Sequence, residues 1–232
     1  MTELEILVDD FIRLLLVFVF ATAIAMIRVR TLMTLVKIYS IQSFLIFLIS
    51  ILLYLQELST VFLILGILTL LSKVIFLPFY IERIVKRLKI KRDMKFEYLS
   101  PTQSMFLSLI ILLVVYQLLY PDFSEFGLSG GFLLGAISGI SLGFIGLIII
   151  FTRKLAISDI LGYLTMENGA LLLSLTVADL PFIIEVLVVL ELFMITLLAA
   201  ILGFGIDSTV EEFHNSLIFR RIVRKKKDDA EI

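Results

Sequence analysis

The amino-acid sequence predicts an all-α, polytopic membrane protein with seven transmembrane helices. Hydrophobic residues make up 60% of the 232 positions, and the charged residues are gathered into short clusters between long apolar runs. This distribution is typical of chains whose solvent is lipid. Because a bilayer core about 30 Å thick takes roughly 20 apolar residues per helix, the length leaves room for seven spans and for no sizeable extramembrane domain.

The predicted helices follow from the apolar runs that separate the charge clusters. Their bounds are residues 11–27, 32–55, 60–81, 102–120, 128–151, 155–178 and 182–204. Ser100 precedes Pro101 and is followed three residues later by Gln103, which is the pattern of an N-cap, a proline at the first helical position and a capping box. We therefore predict that the fourth helix begins here.

Lys and Arg fall almost entirely on alternate connections between the predicted helices, and this orients the chain. The basic groups are Arg28, Arg30 and Lys37, the lysines and arginines of residues 83–95, Arg153 and Lys154, and those of residues 220–227. By the positive-inside rule these connections are cytoplasmic, so the N-terminus lies outside and the C-terminus in the cytoplasm. Arg13 is an exception, and we expect Asp9 or Asp10 to pair with it at the outer interface.

Two three-helix units with a shared plan organise the predicted chain. Residues 1–99 form an N-terminal unit with a basic cytoplasmic loop, residues 100–126 a linking helix and outer loop, residues 127–206 a C-terminal unit, and residues 207–232 a cytoplasmic tail. The first helix of each unit ends in a basic turn, Arg28-Val-Arg30-Thr-Leu32 and Phe151-Thr-Arg153-Lys-Leu155. Both units run in the same direction, and the linking helix supplies the crossing that such a parallel repeat requires.

Glycine recurs at four-residue spacing in the fifth predicted helix, at Gly131, Gly135, Gly139 and Gly143. Such a stripe leaves bare backbone on one helix face, so a neighbouring helix can approach closely. We interpret the stripe as a helix-packing surface rather than as part of a transport path.

Three ionisable residues lie deep in predicted helices: Lys73 in the third, Glu167 in the sixth and Glu191 in the seventh. Lys73 is about fourteen residues into its helix, Glu167 about twelve, and Glu191 about ten residues past Pro181, so at 1.5 Å per residue each lies near the bilayer midplane. A charge at that depth costs at least a few kcal/mol and is tolerated when it faces protein, water or an opposite charge.

Burial disfavours the charged form of a carboxylate and of an ammonium, which brings both groups toward neutrality and lets them exchange protons near neutral pH. Lys73, Glu167 and Glu191 are therefore predicted to form a proton relay. Pro78 frees a backbone carbonyl beyond Lys73, so the third helix has an interruption that could admit water. The secondary relay candidates are polar residues of the same helices or of the second: Tyr39, Gln42, Thr69 and Asn168. The alternative is that the three ionisable residues form satisfied ion pairs that hold helices or partner subunits together.

Cysteine is absent from the sequence, and the only histidine is His214 in the tail. Thiolate-ligated iron–sulfur, haem and zinc sites are thereby excluded from this chain. We expect no metal or cofactor here, and any electron transfer would take place in a partner subunit.

The segment Ile160-Leu-Gly-Tyr-Leu-Thr-Met-Glu-Asn-Gly169, together with the membrane carboxylate that follows it and the upstream element Lys73-Val-Ile-Phe-Leu-Pro78, resembles the hydrogenase-4 component E family. Members of that family are integral membrane subunits of formate hydrogenlyase and of related group 4 membrane-bound nickel–iron hydrogenases. The likeness extends over essentially the whole chain in length, number of spans and order of elements.

The last three predicted helices also resemble the small three-helix membrane subunit of respiratory complex I. When the two are aligned on Gly162, Met166 and Asn168, the first glutamate of that subunit falls at Leu164 here, and Glu167 lies one helical turn later on the same face. The second glutamate of the family would match Glu191 of this chain.

The resemblance implies a membrane-arm subunit of a complex I-like machine in a prokaryotic cell membrane. Its partners would be antiporter-like membrane subunits, a redox-proximal membrane subunit and peripheral nickel–iron hydrogenase subunits, which would carry the nickel–iron and iron–sulfur centres. No nucleic-acid partner is expected. This chain would help to couple the redox chemistry of its partners to proton or sodium movement.

Two other functions stay open at the level of sequence. A structural scaffold between the antiporter-like and redox-proximal subunits fits the glycine stripe and the absence of any ligand motif. A stand-alone secondary transporter would use the parallel repeat as its two bundles, but the sequence has no pair of broken helices and no substrate-like polar cluster.

Overall fold

The computed structural model describes residues 3–88, 100–125, 130–153 and 156–176, which are helical apart from short connections. The helices are α1 (Glu3–Arg28), α2 (Leu32–Glu57), α3 (Thr60–Thr69), α4 (Leu77–Leu88), α5 (Pro101–Glu125), α6 (Gly130–Thr152) and α7 (Ala156–Thr176), with a π-helical segment, Leu70–Phe76, between α3 and α4. No strand occurs in these ranges, so the all-α prediction is confirmed for them. The predicted seventh helix, with Glu191, and the tail that is predicted to be cytoplasmic lie outside the described residues.

Within the described residues, five helical segments are long and apolar enough to cross a membrane, and the chain is membrane-embedded. They are Ile6–Arg28, Leu32–Glu57, Thr60–Arg83, Pro101–Pro121 and Leu133–Thr152. These segments correspond to the first five predicted helices. The sixth predicted helix is α7, which has 21 residues but carries Asp159, Glu167 and Asn168 and is therefore less apolar than the other five.

Helix α2 lies at the centre of the described bundle, since it contacts α1, α3, the π-helical segment, α4 and α7. The most extensive helix pair is α6 with α7. Helix α1 also packs on α6, and α2 on α7, so helices at the same place in the two predicted units are neighbours. Helix α5 is the least buried of the five spans, and its exposed side chains are mostly apolar, as suits a surface that faces lipid.

The third predicted span is interrupted by the π-helical segment. The backbone N–H of Leu77 donates to the carbonyl of Ser72, five residues earlier, instead of four. Pro78 follows directly, and a proline lacks the N–H and crowds the carbonyl four residues before it. The ordinary α-helical ladder therefore cannot run through this turn, and the interruption predicted at Pro78 takes the form of a π-helical segment with Lys73 at its middle.

Two local sequence predictions are confirmed. The backbone N–H of Ser100 donates to Gln103 Oε1 at 2.9 Å, and that of Gln103 donates to Ser100 Oγ at 3.3 Å, which is the reciprocal capping box at the start of α5. In α1, a guanidinium nitrogen of Arg13 lies 3.0 Å from Asp9 Oδ2 and another lies 3.7 Å from Asp10 Oδ1.

Helices α6 and α7 touch backbone to backbone at two glycine pairs. A Cβ atom on Gly139 would lie 2.7 Å from the carbonyl oxygen of Gly169, and one on Gly146 would lie 2.5 Å from that of Gly162. The reciprocal positions are as close, at 2.5 Å for a Cβ on Gly169 and 2.8 Å for one on Gly162. In each helix the two glycines are about two turns apart, so they share one face.

Part of the predicted glycine stripe lies in this contact. Gly139 is one of the paired glycines, and the amide nitrogen of Gly143 would lie 2.7 Å from a Cβ on Gly169. A Cβ on Gly143 itself would meet nothing within 4 Å. Gly135 is buried in α6, and Gly131 lies in the first turn of that helix.

Substitution of Gly139 by alanine is expected to destabilise the chain by about 1–3 kcal/mol, because the added methyl group meets the backbone of α7 and forces the two helices apart. Gly143→Ala is the matched control, since its methyl group enters open space and improves the helix propensity. Denaturant titration in mixed micelles, followed by far-UV circular dichroism, measures both variants. Equal stabilities of the two variants would contradict the backbone contact.

Candidate functional site

A buried ion pair joins the third span to α7. Lys73 Nζ lies 3.2 Å from Glu167 Oε1. The lysine side chain is only 2% exposed and the glutamate 16%, and the carboxylate oxygen Oε2 is itself buried, so the pair lies inside the bundle. Of the three residues predicted for the relay, the structure brings these two together, and Glu191 lies outside the described residues.

The π-helical segment and the packing of α7 on α6 position the two charges. Lys73 projects from the segment in which the helical register shifts by one residue, and the segment contacts α2. Glu167 lies between Gly162 and Gly169, and the contacts of these two glycines with α6 set the position of α7 along α6. The pair therefore spans two elements whose local geometry is unusual, and π-helical segments are frequent at functional sites.

A second polar group lies beside the pair on α7. Asn168 Nδ2 donates to Gln42 Oε1 at 3.2 Å and to Ser43 Oγ at 3.0 Å, and both acceptors belong to α2. Gln42 Nε2 in turn donates to Thr22 Oγ1 of α1 at 3.4 Å, and the Thr22 hydroxyl donates to the carbonyl of Val19 at 2.6 Å. This amide chain links α7, α2 and α1, with Asn168, Gln42 and Ser43 fully buried.

The other two secondary candidates are also buried. Tyr39 lies one turn before Gln42 in α2 and is 0% exposed. Thr69 ends α3, one turn before Lys73, and is 1% exposed. Its hydroxyl has no hydrogen-bond partner among the described residues, and neither has Asn168 Oδ1. Thr69 Oγ1 and Asn168 Oδ1 are therefore buried oxygens that can accept a hydrogen bond. In the sequence, Thr69 precedes Lys73 by one turn and Asn168 directly follows Glu167.

Arg153 is a buried residue that sequence reasoning placed only in a cytoplasmic turn. It is 5% exposed, and its guanidinium donates to the carbonyls of Met26, of Ile27 at 3.3 Å and of Val29 at 3.1 Å. These carbonyls lie at the C-terminus of α1. The last carbonyls of a helix have no hydrogen-bond donor within that helix, and this end of the helix carries partial negative charge. Burial lowers the pKa of Arg153 to about 10, so the guanidinium stays protonated at neutral pH.

Residues 160–169 of α7, the segment on which the family resemblance rests, make several contacts with other helices. Gly162 and Gly169 touch the backbone of α6, Glu167 pairs with Lys73, and Asn168 donates to α2. One short stretch of α7 therefore contacts three other elements at once. Sequence reasoning missed Ser43, Thr22 and Gly146, although the two-turn spacing of Gly139 and Gly146 was a readable signal of a shared face.

The arrangement is suited to holding or moving a proton. A lysine and a glutamate in hydrogen-bond distance form a neutral pair overall, and a proton can shift from Nζ to Oε1 without any change in the net charge of the pair. Among the residues that the structure describes, no cluster of three or more His, Cys, Asp or Glu side chains could hold a metal ion.

Comparisons with known proteins give no assignment. The chain matches no protein-family model, no curated protein and no solved structure.

Proposed function

We propose that this chain is an ion-coupling membrane subunit in which the Lys73–Glu167 pair takes up and releases a proton. The buried pair at 3.2 Å is the observation that supports it. Two charges that only braced the helices could be replaced by apolar packing at no cost or with a gain of stability. A pair that handles protons, in contrast, must keep two titratable groups in contact.

The geometry supports Glu167 as the group through which protons enter or leave. Its side chain is 16% exposed, although its Oε2 atom is buried, whereas Lys73 is almost completely enclosed. In this proposal a proton that arrives at Glu167 neutralises the carboxylate and loosens its contact with Lys73. Loss of that proton restores the ion pair, so the position of Lys73 depends on the protonation of Glu167.

We further propose that the chain serves as a membrane-arm subunit of a complex I-related, membrane-bound hydrogenase or formate hydrogenlyase. The support is the resemblance of residues 160–169 to the hydrogenase-4 component E family, together with the contacts that this segment makes. The lack of cysteine fits a subunit that leaves redox chemistry to its partners. The coupled ion in this proposal is a proton, or sodium displaced by a proton.

Glu167→Gln is the direct test of ion coupling. Glutamine has nearly the same shape but cannot carry a proton, so coupled ion uptake in membrane vesicles should fall by about 10²-fold or more while electron transfer continues. Glu57→Gln makes the same chemical change at an exposed glutamate at the end of α2 and should leave uptake unchanged. Unaltered coupling in Glu167→Gln would refute a proton-carrying role.

Membership of a hydrogenase complex is tested by purification from the native membrane. A tag on the C-terminal tail, mild detergent extraction and an assay of hydrogen evolution should recover a nickel–iron large subunit and antiporter-like subunits with this chain. Recovery of the chain alone would contradict the complex and favour a stand-alone transporter.

A scaffold without an ion path is the second candidate, and the close contacts of α6 with α7 favour it. Backbone contact at four glycines and the hydrogen bonds from Arg153 to carbonyls at the end of α1 are features of a rigid support. This function predicts that Glu167→Gln lowers assembly of the complex and leaves the coupling ratio of the assembled fraction intact.

A further inference from the structure

We propose that Asn168 and Gln42 are positioning residues, which hold α7 in the rotation that brings Glu167 against Lys73, and that they do not carry the ion. This inference rests on the proposed function, because it assigns to the two amides a role within the same site. It removes both from the set of relay candidates that the sequence indicated.

The direction of the amide chain is the first observation that supports the proposal. Asn168 donates to Gln42, Gln42 donates to Thr22, and Thr22 donates to the carbonyl of Val19. A backbone carbonyl accepts hydrogen bonds but has no proton to pass on, so the chain ends there. Neutral amides have no proton that dissociates near neutral pH, so each link fixes an orientation instead of exchanging a proton.

The position of Asn168 on α7 is the second observation. Neighbouring residues on an α-helix point about 100° apart, so Asn168 reaches α2 while Glu167 reaches Lys73 of the π-helical segment. Two hydrogen bonds from one amide group to Gln42 and Ser43 restrain the rotation of α7 about its axis relative to α2. A rotation that broke them would also carry the Glu167 carboxylate away from Lys73.

The glycine contacts restrain α7 against a different helix. Gly162 and Gly169 allow α7 to approach α6 closely, and the side chains of Met166, Ile149 and Leu142 pack against the glycines of this contact. These contacts hold α7 against α6, and the polar contacts of Asn168 hold it against α2. Both are needed for a contact of 3.2 Å between Lys73 and Glu167.

A double-mutant cycle measured in two backgrounds tests the proposal on the purified chain. Lys73→Met, Glu167→Leu and the combined variant give the coupling between the two residues from their stabilities in mixed micelles. We expect the coupling to fall to roughly half or less when the cycle is repeated in an Asn168→Leu background. A residue that contributed only general stability would lower every member of the cycle equally and leave the coupling unchanged.

Thr165→Val provides the matched background. Thr165 is a buried residue of α7 whose hydroxyl donates to the carbonyl of Leu161 in its own helix and contacts Met26 Sδ of α1 at 3.8 Å, so its loss removes an interhelical contact but leaves the amide chain intact. Full coupling in this background and reduced coupling with Asn168→Leu is the expected result. Ser43→Ala removes one acceptor of Asn168 with little change in volume, and it serves as the test background if Asn168→Leu does not fold.

Coupling that persists undiminished in the Asn168→Leu or Ser43→Ala background would overturn the positioning role. If ion uptake were nevertheless lost in such a variant, Asn168 would belong to the conduction path itself. The cycle uses stability and not ion movement, so its failure is distinct from a failure of the proposed function, which Glu167→Gln tests separately.

Discussion

Replacement of Lys73 by methionine is expected to lower the stability of the chain by about 3–5 kcal/mol, because it removes the positive charge that lies 3.2 Å from the Glu167 carboxylate. Methionine matches the length of the lysine stem, so the loss reports on the charge and not on a cavity. Thermal and denaturant unfolding of the purified chain in mixed micelles measures the change.

The combined variant Lys73→Met with Glu167→Leu should recover most of that stability. An apolar pair of similar volume carries no desolvation penalty, and such replacements of buried ion pairs are often neutral or stabilising by about 1–4 kcal/mol. If the combined variant were as unstable as the sum of its two single changes, the two residues would not be coupled in the fold.

The same combined variant separates the two candidate functions. A scaffold needs only a packed interface, so a stable apolar pair should assemble and leave the coupling of the complex unchanged. An ion-coupling pair needs the two titratable groups, so the combined variant should fold and assemble while coupled ion uptake is lost. Recovered stability together with recovered uptake would leave the scaffold as the better account of Lys73 and Glu167.

The elements that sequence reasoning located well are those set by local chemistry. The capping box at Ser100, the pairing of Arg13 with its own helix and the ends of the apolar runs depend on residues at most four positions apart or on bilayer thickness. The depth of Lys73 and Glu167 also follows from counting residues along a helix. That these two charges meet depends on helix rotation and neighbour order, which hydropathy does not specify.

Long-range contacts of single side chains were beyond the reach of the sequence. Arg153 is separated from Met26 by 127 positions, and a basic residue in a cytoplasmic turn has a sufficient explanation in the positive-inside rule. The glycine contact was located in the right helix but extends to Gly146, because partners on α7 at Gly162 and Gly169 select the face. The partner of Arg153 and the face of α6 that meets α7 become visible only when the helices are placed together.

Arg153→Met is expected to cost about 3 kcal/mol or more, since it removes charge-assisted hydrogen bonds, each typically worth about 1.5–3 kcal/mol, to carbonyls at the end of α1. Arg153→Lys keeps the charge but lacks the planar set of donors, so its stability should fall between that of the native chain and that of the methionine variant. Unfolding in mixed micelles gives the order of the three proteins.

Arg30→Met is the control that separates this contact from membrane orientation. Arg30 occupies the matching place in the basic turn of the first unit and is exposed, so its removal should change stability by less than about 0.5 kcal/mol. Both substitutions subtract one positive charge from a turn that is predicted to be cytoplasmic, and they weaken the positive-inside signal to the same degree. A loss confined to Arg153→Met would therefore arise from the buried contact with α1, whereas equal losses would mean that the charge acts through topology alone.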